Sequence, residues 1–133
     1  MKKLFKHERG QALLEFAMIL TVLFFIIVGI FDLGRAFHAV IVIENASREG
    51  ARFGTRYPDD SSGMQAAAVQ EAQNSGIPLS TGDVGVTCTD PDGDGCDPGN
   101  PAIVTVTYDF EPVLNLFLPN SFQLVRTTQM LVP

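Results

Sequence analysis

Beyond Lys6 the sequence has no lysine. Past Gly10 only Arg35, Arg48, Arg52, Arg56 and Arg126 face fourteen acids, a balance of −9. So acidic a body argues against nucleic acid as a partner. No glycine-rich phosphate-binding loop occurs, and the two histidines, His7 and His38, have no nucleophile at a recognisable catalytic spacing. The chain is therefore expected not to be an enzyme. A zinc site would need Cys88 and Cys96 joined by a histidine from the N-terminal region or the long helix, which argues against one. No small-x-small cleavage site closes the apolar run, as an ordinary secretory signal requires. There is no internal repeat, and no proline between Gln11 and Tyr57.

What is present begins with a basic leader, residues 1–10, where Lys2, Lys3, Lys6 and Arg9 outweigh Glu8. Residues 12–31 are apolar apart from one ionisable side chain, Glu15, and polar Thr21. At about 1.5 Å per residue they make roughly 30 Å of helix, enough to cross the hydrocarbon core of a bilayer. A carboxylate at the centre of such a span costs about 2.5–3.5 kcal/mol on insertion scales, and an acid near its end costs less. Glu15 therefore calls for a partner. Basic residues before the span and an acidic body after it predict a single-pass protein of the cytoplasmic membrane, N-terminus inside and body outside. A plain signal anchor would share this charge and length.

The helical pattern continues from residue 11 to 57, roughly 47 residues and 70 Å. Its second half is amphipathic: Ala46, Gly50, Phe53 and Tyr57 carry one stripe, and Arg48, Arg52 and Arg56 another. Pro58 and the polar residues after it mark the break. A short second helix follows from Ser62 toward Gly76, with Ser61 or Ser62 as cap, Met64, Ala67, Ala68 and Ala72 as packing face, and Gly76 with Pro78 as stop. The period then changes to two. Val84–Cys88, Val104–Phe110 and Phe122–Val132 read as strands, Arg126 interrupting the apolar face of the last. The expected fold is α+β: a long transmembrane and amphipathic helix, a short second helix and a small three-stranded antiparallel sheet. Residues 58–133 form a domain near the size where a lone core is marginal, so it should borrow the helix to complete its core.

Three blocks keep their order and spacing: Arg9-Gly10-Gln11-Ala12-Leu13-Leu14-Glu15-Phe16-Ala17, Phe31-Asp32-Leu33-Gly34-Arg35, and Asn45-Ala46-Ser47-Arg48-Glu49-Gly50-Ala51-Arg52. Over Arg9–Arg52 the sequence closely resembles the TadE-like pseudopilins of tight-adherence (Flp, type IVc) pilus systems. The resemblance implies cleavage between Gly10 and Gln11 by an inner-membrane aspartyl prepilin peptidase, with Glu15 and Phe16 serving recognition and assembly. It also implies work with the pilus assembly platform and with other pilins, as a homo- or hetero-oligomer that becomes extracellular once assembled. Cleavage would expose an amine on Gln11 with an ordinary pKa near 7.7–8.0. That ammonium is a natural partner for Glu15. Thr21 stands where many relatives carry proline, and the mature chain would begin with glutamine where filament-building pilins often have phenylalanine or methionine.

Asp32 and Arg35 have the spacing of an exposed i,i+3 pair or of a contact between subunits. Arg48, Glu49, Gly50 and Arg52 suggest a packing junction, small residues inward and arginines toward acids or solvent. Asp90, Asp92 and Asp94 occupy positions 1, 3 and 5 of an EF-hand-type loop, with glycine at 6. Position 12 is Pro101, so the bidentate glutamate is missing, and Asp97 is the candidate substitute. Calcium, the only cofactor suggested, competes here with an acidic hairpin loop clamped by Cys88 and Cys96. That disulfide, on the predicted outer side, would stabilise by about 2.5 kcal/mol in the chain-entropy model. The expected function is a pseudopilin subunit. Its rivals are the major filament subunit and an unassembled, membrane-tethered calcium-binding or adhesive module.

Overall fold

A computed structural model describes residues 5–88, 96, 98–113 and 121–133, with side chains from residue 10 onward. Helix α1 runs without interruption over Phe5–Gly54, 50 residues, which is about 75 Å. It begins before the expected Gln11 and passes through Gly10. It also stops short of Tyr57. Both Arg56 and Tyr57 donate their backbone N–H to the Phe53 carbonyl, at 3.0 and 3.1 Å. This tightened last turn meets Pro58, which cannot extend it.

Helix α2 spans Ser61–Asn74. Its cap is Asp60, not Ser61 or Ser62. The Asp60 carboxylate accepts the Gly63 N–H at 2.8 Å and the Ser62 hydroxyl at 2.7 Å. A charged acceptor makes the stronger cap bond, and Ser62 serves as its donor. These bonds to the ionised form hold the Asp60 pKa below its usual value, the Ser62 hydroxyl contributing most. At the other end Ile77 donates to the Ala72 carbonyl at 3.0 Å. Gly76 adopts φ 82° there, the left-handed value that closes a helix and that glycine takes without strain.

After a 3-10 turn at Thr81–Asp83 come β1 (Val84–Cys88), β2 (Pro101–Phe110) and β3 (Phe122–Leu131). They form one antiparallel sheet in the order β1-β2-β3. Val84 lies opposite Val106, and Phe110 opposite Phe122. The period-two pattern buries Ala102, Val104, Val106 and Phe110 on one face. Arg126 shares the inward parity of β3 but stays exposed, its Nε 3.8 Å from Glu44. Cys88 and Cys96 are joined as a disulfide.

The core is shared. Ala39, Val42, Ile43, Ala46 and Ala51 of α1 are buried together with Met64, Ala68 and Ala72 of α2 and the inner face of the sheet. Among the described residues, every buried apolar side chain of α1 lies at or beyond Ala39. Small residues permit this approach. A Cβ on Gly50 would sit 2.9 Å from the Met64 carbonyl oxygen and 3.1 Å from Val104 Cγ1. Backbone cannot retreat as a side-chain tip can. Gly50→Ala is expected to lower the thermal unfolding midpoint of the full chain in detergent micelles, because overpacking at about 1–3 kcal/mol exceeds the helix-propensity gain of about 1 kcal/mol. Gly34→Ala, whose Cβ meets nothing within 4 Å, should raise the midpoint or leave it unchanged.

Candidate functional site

Residues 10–31 of α1 lie outside the head formed by α2 and the sheet. All of their side chains are exposed except Val28, which is half-exposed. Among the described residues α1 is the one helix long and apolar enough to cross a membrane, by length and composition. Gly10 and Gln11 lie within this helix and are exposed, as are Glu15 and Phe16. Glu15 has no hydrogen-bond or ion-pair partner among the described residues. Thr21, by contrast, is satisfied locally, its hydroxyl donating to the Ala17 carbonyl at 2.8 Å, so its polarity is compatible with an apolar surround.

At the other border of the apolar run the structure departs from the expected surface pair. Asp32 is 7 % exposed. Its Oδ1 accepts from Arg35 Nη1 at 3.1 Å and from the backbone N–H of Val113 at 3.0 Å. The Arg35 guanidinium lies 5.2 Å from the centre of the Phe110 ring, a cation–π distance. Phe110 in turn packs on Phe122, ring centres 5.1 Å apart. Asp32 therefore fastens α1 to the end of β2 within one chain. No sequence-local signal reveals this, because the second partner is 81 residues away.

Further along, Ser47 has a role that its local spacing does not signal. Its buried hydroxyl lies 2.9 Å from the Glu44 carbonyl, to which it donates, and 2.7 Å from Thr128 Oγ1. His38 Nε2 sits 3.2 Å from the Ser75 carbonyl at the end of α2. The arginine block behaves as a packing junction. Arg48 pairs with Glu44 and Arg52 with Glu49, the latter at 2.7 Å, while Gly50 faces the core. The Glu49 carboxylate, chiefly by its hydrogen bond, raises the Arg52 pKa above its ordinary value. Such exposed pairs contribute little to stability.

Among the described residues no group of three or more His, Cys, Asp or Glu is arranged to hold a metal. The calcium ligands expected at Asp90, Asp92, Asp94 and Asp97 lie outside the described residues. What the described side chains build is a helix with two environments: exposed and apolar around Glu15, packed and clasped from Asp32 outward.

Residues 10–52 match the TadE-like protein family model. No curated protein and no solved structure matches the chain. The match supports a protein associated with the Tad pilus. The TadE-like segment contains Glu15, the Asp32–Arg35 clasp and the arginine junction, and ends two residues before α1 does. It includes neither α2 nor any strand. Within it the helix runs unbroken through Thr21.

Replacing Asp32 with alanine should leave the Val113 N–H without that acceptor; because Val113 is 68 % exposed, water can take its place and the loss is about 1.5 kcal/mol, the low end for a bond to a charged group. Hydrogen exchange in the full chain should then speed up at Val113 and at the C-terminal end of β2, with α2 little changed.

Proposed function

We propose that the chain is a pilin-like pseudopilin subunit of a tight-adherence (type IVc) pilus or related secretion machine, cut between Gly10 and Gln11 and assembled through α1. The observation that carries this is the exposed apolar half of α1 with Glu15 unpartnered among the described residues. An ionised carboxylate in an apolar surround is strongly disfavoured without a counter-charge. Hydrolysis of the Gly10–Gln11 bond removes Arg9 and supplies an ammonium four residues from Glu15. Paired within one chain or across two, that ammonium and Glu15 set the axial register of packed helices.

The cut falls inside a helix, and a peptidase needs extended backbone at the bond it hydrolyses. Gly10 suits this, since glycine is about 1 kcal/mol less favourable than alanine in a helix interior. The leader's positive charge and the acidic body support an orientation with the N-terminus in the cytoplasm. The partners are an inner-membrane prepilin peptidase, the pilus assembly platform and other pilins, with the subunit passing from the cytoplasmic membrane to the cell surface on assembly.

The test is the mass of the N-terminal peptide in protein recovered from cells with and without a prepilin peptidase. With the enzyme the chain should start at Gln11, and without it the leader should remain. Assembled material that keeps residues 1–10 would refute the processing step.

A further inference from the structure

The apolar surface of α1 does not end at the same height on both sides. On the side in line with the head it ends at Asp32, covered by Val113. On the opposite side it continues. At 3.6 residues per turn, Ile19, Ile26, Ile30, Leu33, Phe37 and Ile41 share one face, and Ala39, Ile43, Ala46 and Gly50, which the head covers, share the other. Phe37 and Ile41 are 61 % and 59 % exposed, although they lie beyond the residues that span a bilayer by length. The first charged group on their face is the Glu44–Arg48 pair. The upper border is therefore displaced by nine residues, about 13 Å, between the two faces. The lower border is nearly level: Leu14 begins the head side, and Phe16, 61 % exposed, lies about seven turns directly below Ile41 on the far face.

An apolar band whose upper border reaches further on one face meets a flat hydrocarbon boundary more fully when the helix leans toward that face. We infer that the unassembled subunit sits tilted in the bilayer, its Leu33–Phe37–Ile41 face lying in the leaflet next to the head and its head carried on the upper side, away from the lipid. The occupant of this face is a phospholipid bilayer. Three large apolar side chains uninterrupted by charge, continuous with the span and bounded by an ion pair, suit acyl chains. The inference rests on the membrane-spanning part of the proposed function and not on assembly. It gives the head a fixed attitude: the sheet and α2 face away from the membrane before any partner binds.

The chain has no tryptophan, so a single introduced one reports its own surroundings. Phe37→Trp, Ile41→Trp, Ile26→Trp and Ser75→Trp in the full chain would each be reconstituted in phosphatidylcholine vesicles at low protein-to-lipid ratio. Each would be quenched with acyl-chain-brominated lipid and, separately, with acrylamide. Ser75 is the control on the head side at the same level along α1, fixed there by its contact with His38. The tilt predicts that the emission of Phe37→Trp and Ile41→Trp is lost in brominated lipid nearly as completely as that of Ile26→Trp, with little loss to acrylamide. Ser75→Trp should show the reverse. Loss to acrylamide at positions 37 and 41, with lipid quenching at position 26, would overturn the tilt while leaving the span intact. Protection of positions 37 and 41 from both quenchers would overturn it in favour of a second copy of the chain on that face. Absence of lipid quenching at position 26 would overturn the span and the tilt together.

Discussion

Close approach of the head to one face of α1 is the constraint on which the remaining structure depends. The strands and α2 supply few large apolar side chains facing inward, and a domain of this size buries little core by itself. Ala39, Ala46 and Gly50 let Met64, Ala68 and Val104 come close enough to share one core with the helix. Larger side chains there would hold the layers apart and leave both partly wet. Among the described residues the head closes over the C-terminal half of α1, and the N-terminal half has no surface to bury itself against. A fold that needs the helix to complete its core thus leaves half of the same helix available to lipid or to other helices.

Two acids in the helix illustrate how polar groups divide that labour. Asp32 is buried where the head begins, and the chain satisfies it with Arg35 and a backbone donor. Glu15 lies on bare apolar helix and is unpartnered among the described residues. Acids of the same charge type therefore stand in opposite settings: one fixes the head to the helix, the other is left on exposed apolar helix. Ser47 meeting Thr128 secures the β3 side of the helix in the manner of Asp32, whereas Arg126 near Glu44 is exposed and adds little.

Much of this was legible from residue order. The change of period from helical to alternating located three strands, and it picked out the inward face of the second, Val104, Val106 and Phe110. Alanine and methionine spacing identified Met64, Ala68 and Ala72 as the buried face of α2, while Ala67 turns out half-exposed at its edge. Other features depend on partners that no local pattern can supply. The roles of Asp32 and Ser47 are set by Val113 and Thr128, each 81 residues distant. The cap of α2 fell to Asp60 because an aspartate immediately ahead of two serines outcompetes them as an acceptor. The end of α1 at Gly54 reflects a tightened turn before Pro58, which spacing alone does not distinguish from three more helical residues. The residues proposed to engage calcium fall outside the described part of the chain.

The claim that organises these features is that Glu15 serves assembly and not the fold. Its most direct test is the distribution of Glu15→Ala between membranes and sheared surface filaments in cells that contain the prepilin peptidase. The altered chain should fold and be cut to begin at Gln11, yet remain in the membrane fraction. Recovery of Glu15→Ala in the sheared fraction at the wild-type proportion would contradict the claim.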